Sequence, residues 1–270
     1  MGTRGSAHPA LLAAAAGFLL ALLAARTTVA APGAGEGRGT RRTVRVLVIA
    51  DPALGTDESW KVEISRAVNE ASLALEEVSG LSLRIKAFAY GDISPRETKE
   101  AVGHRRATAL RALESLNRRV KEAGRGPGEL VIGLVPEGPD GTYMPGAMDY
   151  LQGTAVLKYL KSRGGIKFVL LHEVLHIFGA IDLETPDSVM SRKGPSFRID
   201  GFTKAIVRIN RDRTFLPGEF PLAVDRIARA IDLYASRRAL ELGEGELTVC
   251  LSALSAAQNR ILDAQGQPLR

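Results

Sequence analysis

The stretch His172-Glu173-Val174-Leu175-His176-Ile177-Phe178-Gly179-Ala180-Ile181-Asp182 constrains this chain more than any other. It sits in an apolar run that carries two histidines four residues apart, and at that spacing side chains share one face of a helix. Their rings can therefore offer nitrogens to one metal ion. Glu173, next in sequence to the first of them, can stand beside such an ion without ligating it. A catalytic zinc site keeps three protein ligands and one open position, so a third ligand is required. Gly179 supplies the route to it, because a glycine there can take the left-handed conformation that ends a helix and turns the chain. The chain then returns and presents the Asp182 carboxylate, an acceptable zinc donor.

The short HExxH pattern alone is a moderate signal, since histidines in buried helices are often satisfied core residues. The full HExxHxxGxxD, in a helix over Ile166–Phe178 bounded by Gly164-Gly165 and Gly179, is far more restrictive. A metal-free helix would have to bury two histidines, a glutamate and an aspartate without partners, which is costly.

Upstream of this helix, hydrophobic periodicity predicts a mixed α/β (α+β) fold. Val44–Ala50 reads as a buried strand and Asp57–Ser79 as a helix stopped by Gly80. Leu81–Tyr90 alternates as a strand with one wet face. Pro95–Ala123 reads as a second helix with Ser94 as its cap, and Glu129–Val135 as a central strand. Pro136–Gly146 has turn residues throughout and is expected as a loop, and Gly153–Leu160 as a strand at an edge of the sheet. Later helices are expected at Thr203–Arg211 and Pro221–Leu242, and another at Leu254–Ala264.

Residues 1–30 read as an export signal: Arg4 and His8 precede the apolar block Pro9–Ala25, and Thr28-Val29-Ala30 suit cleavage after Ala30. The block is short for a spanning helix, so no integral membrane domain is expected, with an uncleaved signal-anchor as the alternative. A secreted or periplasmic location follows. Residues 31–43 form a Gly-rich linker, 44–245 the main domain and 246–270 a C-terminal extension. The net charge is +6, but 36 basic residues are interleaved with 30 acidic ones and no recognition motif accompanies them, so no nucleic-acid partner is expected. The single cysteine, Cys250, excludes an intrachain disulfide and reads as a buried thiol.

The motif resembles the metzincin zinc metallopeptidases, whose signature is HExxHxxGxx followed by His or Asp; the aspartate form is similar to the snapalysin-type peptidases. Ser188-Val189-Met190 fits the family's methionine turn, with Met190 at its centre. The resemblance implies an upper lobe of twisted mixed sheet and helices, an active-site helix, and a small, mostly helical lower lobe. It implies Zn2+ held by His172, His176 and Asp182, and hydrolysis of a protein or peptide substrate with Glu173 as general base. It also implies that substrate lies along the edge strand, assigned here to Gly153–Leu160, and that Ser191–Ile199 walls the side-chain pocket. Arg192 stands where several members have a tyrosine that assists at the zinc, and a cysteine-based latch is ruled out because no cysteine precedes the domain. The main alternative is a catalytically silent, metzincin-like zinc-binding module. Glu173 argues against it, because a structural site needs no general base.

Overall fold

The computed structural model describes residues 41–94, 105–123, 129–136, 146–149, 152–159, 165–183, 186–191, 196–213, 215 and 224–237. The expected signal at 1–30, most of the linker, Pro95–His104, Arg192, Cys250, the helix at Leu254–Ala264 and the C-terminal extension lie outside these residues.

Five strands form one mixed sheet: β1 Arg42–Ala50, β2 Leu81–Tyr90, β3 Glu129–Pro136, β4 Gly146–Asp149 and β5 Thr154–Tyr159. Their spatial order is β2-β1-β3-β5-β4. Three neighbouring pairs are parallel, and β4 runs antiparallel to β5, with Gly146 opposite Leu157 and Asp149 opposite Thr154. The helices are α1 Ser59–Ser79, α2 Arg105–Ala123, α3 Ile166–Ile177, α4 Gly201–Asn210 and α5 Val224–Arg237. Among the described residues no helix is long and apolar enough to cross a membrane.

Side-chain alternation along the strands splits the core into two layers. Val44, Val46 and Val48 of β1, Leu130, Ile132 and Leu134 of β3, and Ala155 and Leu157 of β5 share one cluster with α1 and α3. Ile49, Val131, Val135 and Val156 project from the opposite face onto Ala112, Leu113, Leu116 and Val120 of α2. With both faces covered, β1, β3 and β5 read as near-continuous apolar runs, as buried parallel strands do. β2 lies at the open end of the sheet, and its alternation of covered and exposed positions follows from that place. The segment after α3 joins the first cluster through Leu183, Val189, Met190, Phe202, Ile206 and Val207.

Two expectations are corrected. Gly153–Leu160 is not an edge: β5 pairs with β3 on one side and β4 on the other, and five of its six residues are buried. This end of the sheet is instead Gly146–Asp149, which starts at the last residue of the expected loop and runs on through residues to which the sequence assigned no element. Four residues are too few for a period-2 pattern to stand out against neighbouring turn residues. The first strand also begins earlier than expected, at Arg42 rather than Val44, within the last residues of the expected linker. Arg42 pairs with Leu81, and its guanidinium donates to the carbonyls of Arg211 and, at 2.7 Å, Arg213.

Candidate metal centre

α3 forms where expected and buries most of its length, with Val169, Leu170, Leu171, Val174, Leu175 and Ile177 in the core. His172 and His176 emerge on one face, with side chains 21% and 14% exposed, which leaves the pair reachable from solvent. The helix ends as the sequence implies. Gly179 has φ of 90°, its amide donates to His176 O at 2.8 Å, and the amide of Ala180 donates to Leu175 O at 3.0 Å. The turn brings Asp182 back to the histidines.

Each imidazole is oriented by a backbone carbonyl. His172 Nδ1 donates to Val189 O and His176 Nδ1 to Ala180 O, both at 2.8 Å. A carbonyl can only accept, so the hydrogen is on Nδ1, and in the neutral ring Nε2 carries a lone pair. The two Nε2 atoms lie 3.0 Å apart, and Asp182 Oδ1 lies 3.2 Å from His172 Nε2 and 3.3 Å from His176 Nε2. Three acceptors at this spacing repel one another unless a proton or a cation lies between them. Zinc bonds of about 2.0–2.1 Å at tetrahedral angles put ligand atoms about 3.3 Å apart, close to the spacing seen. The donor set, two imidazoles and one carboxylate, suits zinc and could hold it.

Glu173 is 6% exposed, on the same helix between the histidines. Burial pushes its carboxyl above the ordinary range, against the opposing pull of His176 and His172. Burial disfavours protonation of His176, but the Asp182 contact and the Glu173 charge outweigh it and raise the imidazole above its usual value. Burial likewise opposes ionisation of Asp182, and the two imidazoles outweigh it, holding the carboxyl below the ordinary carboxylate range.

Beneath the histidines, residues 188–191 form a tight turn in which Ser191 N donates to Ser188 O at 3.0 Å. Met190 is fully buried, its carbonyl accepts from Leu183 N at 2.7 Å, and Ser188 Oγ accepts from Met190 N at 3.1 Å. Ser188 Oγ in turn donates to Asp200 Oδ2 at 2.6 Å, and Asp200 Oδ1 caps α4 through Thr203 N at 2.8 Å. This turn presents the Val189 carbonyl to His172. Residues 192–195, Arg192 among them, lie outside the described residues.

The chain matches no protein-family model and no curated protein. Among solved structures it is similar to a chaperone–substrate complex, at 16% identity and a TM-score of 0.40 over 62% of this chain and 34% of that one. Metalloproteinase-II from Bacteroides fragilis overlaps 62% of this chain and 52% of its own length, at 15% identity and a TM-score of 0.44. A zinc-dependent peptidase from Methanocorpusculum labreanum (strain Z) overlaps 60% of this chain and 99% of its own, at 13% identity and a TM-score of 0.41. The overlap thus spans about a third and about half of the first two chains.

Of the residues that the sequence nominates, His172, His176 and Asp182 converge, Glu173 adjoins them, Gly179 makes the turn and Met190 lies in the turn below, whereas Gly153–Leu160 is not the edge strand and Arg192 lies outside the described residues. Sequence reasoning missed the carbonyls of Val189 and Ala180, since every residue type has a carbonyl. It also missed Gly146 of β4, where an added β-carbon would lie 2.6 Å from Glu173 Oε1. Asp200 could have been found, because an aspartate just ahead of an amphipathic run is a capping signal.

Proposed function

We propose that this protein is an exported zinc-dependent endopeptidase of the metzincin type, with His172, His176 and Asp182 as metal ligands and Glu173 as general base. The observation that carries the reading is the commitment of both Nδ1 atoms to backbone carbonyls, which aims both Nε2 lone pairs at Asp182 Oδ1. When bound, zinc supplies Lewis acidity, acidifying a water molecule and polarising a carbonyl.

The chain's own residues supply the remainder. Glu173 accepts the proton of the attacking water at its carboxylate and passes it to the leaving amine. A carboxyl whose proton affinity is raised by burial suits both halves of that transfer. The carbonyls of Val189 and Ala180 fix the ring orientation and strengthen the imidazoles as donors. β4 is the last strand of the sheet beside α3, so an extended peptide can pair with its outer edge. Export rests on the N-terminal apolar block and the small residues that end at Ala30.

The test is hydrolysis of a broad peptide library by purified protein before chelation, after it, and after zinc is restored. Activity should vanish and return. Activity indifferent to chelation would exclude the reading.

A further inference from the structure

The turn that carries Asp182 to the histidines is held from below by the end of α4. Asn210 Nδ2 donates to the carbonyl of Phe178 at 2.7 Å. Arg213, fully buried, donates through its guanidinium to the carbonyl of Ile177 and stacks over Phe215, 4.9 Å from the ring centre. Carbonyls in the last turn of a helix have no intrahelical partner, and these two find theirs on α4 and the residues after it. A cation at that place also favours the negative end of the helix dipole.

Asn210 does more than satisfy a carbonyl. It is 1% exposed, and its Nδ2 lies 2.4 Å from where a β-carbon on Gly179 would stand. The amide therefore occupies the space left open by the bare α-carbon, while gripping the carbonyl one residue earlier. Its other atom, Oδ1, is buried and has no hydrogen-bond partner among the described residues. Burying an amide with one end unsatisfied is unfavourable. A leucine would fill the space without that cost but could not donate to Phe178.

The same helix reaches the site at its other end. Asp200 caps α4 and accepts from Ser188, in the turn whose Val189 carbonyl orients His172. One rigid helix thus ties the orientation of the first histidine to the path of the chain toward Asp182.

We propose that Asn210 is a positioning residue for the metal centre: by holding Phe178 O against Gly179 it sets the turn that delivers Asp182 to His172 and His176. This rests on the metal-centre reading above. Asn210 touches no ligand and acts through the backbone alone.

The experiment measures zinc dissociation constants by competition with a chromophoric chelator, together with the visible spectrum of the cobalt-loaded protein, for wild type, Asn210→Asp and Asn210→Ala. Asn210→Asp keeps the shape and loses the donor, and Asn210→Ala serves if the aspartate does not fold. Ser72→Ala is the structural control, because Ser72 is buried and accepts from Leu83 N at 2.8 Å between α1 and β2. Circular dichroism of the metal-free proteins establishes folding. The expected result is zinc binding weakened about tenfold or more and an altered cobalt spectrum in the Asn210 variants, with both unchanged in Ser72→Ala. Unchanged affinity and spectrum in folded Asn210 variants would overturn the proposal, as would equal loss in Ser72→Ala. Wild type that binds no zinc at all overturns the metal-centre reading itself, which separates that failure from the failure of Asn210.

Discussion

Gly146 and Glu173 touch: a β-carbon on Gly146 would lie 2.6 Å from Glu173 Oε1 and 2.8 Å from its Cγ. β4 and α3 meet this closely only because position 146 has no side chain. Glu173 is consequently walled on one side by backbone, which restricts where its carboxylate can point.

Gly146→Val should displace that carboxylate without touching a metal ligand. Hydrolysis is expected to fall about ten- to a hundredfold, less than the roughly 10²–10⁴-fold that a general base contributes in full, while zinc content stays at the wild-type level. Steady-state kinetics and metal analysis on the same preparation check this. Zinc lost in proportion to activity would mean that Gly146 serves the fold rather than Glu173.

Gly179→Ala should be strongly destabilising. The left-handed backbone alone costs an L-residue roughly 1–2 kcal/mol, and the new methyl would collide with Asn210 Nδ2. Adding Asn210→Ala removes the collision and leaves the backbone strain, so the pair should lose less stability than the sum of the single changes. Urea unfolding of the four proteins measures the coupling. Simple additivity would mean that the two residues do not press on each other.

Asp200→Ala removes the cap of α4 and the anchor of Ser188 together. Loss of the cap costs about 1 kcal/mol, and freeing the turn should also weaken zinc binding, since Val189 O then orients His172 less firmly. Denaturant unfolding and chelator competition read the two effects separately. A variant that loses stability and holds zinc as tightly as wild type would confine Asp200 to capping.

Removing zinc should lower the thermal midpoint. Free zinc at a hundred times its dissociation constant contributes about 2.7 kcal/mol, which for a chain of this size corresponds to roughly 5–10 °C. Scanning fluorimetry with and without chelator gives the shift. A midpoint indifferent to zinc would count against a site built into the fold.

What could be read from the sequence is what local pattern encodes. The period of two in Leu81–Tyr90 places β2 with one wet face, and the apolar runs of β1 and β3 mark interior strands because both faces are covered. The spacing of His172, His176, Gly179 and Asp182 encodes its own geometry, because helix pitch and one left-handed residue determine where the ligands go. What escaped is contact between distant segments. β5 read as an edge because nothing in its residues announces a neighbour, and that neighbour, β4, is a four-residue strand next to turn residues. Gly146 and Asn210 are single residues of ordinary type, and each acquires meaning only when the fold sets it against Glu173 or Gly179.

In the proposed reaction Glu173 does chemistry at a zinc ion held by His172, His176 and Asp182. The most direct measurement compares wild type with Glu173→Ala for zinc content and for hydrolysis of a peptide library. The expected result is one zinc per chain in both proteins, with hydrolysis lowered by about 10²–10⁴-fold in the variant. Zinc-loaded wild type that cuts nothing, or a Glu173→Ala protein as active as wild type, would contradict the claim.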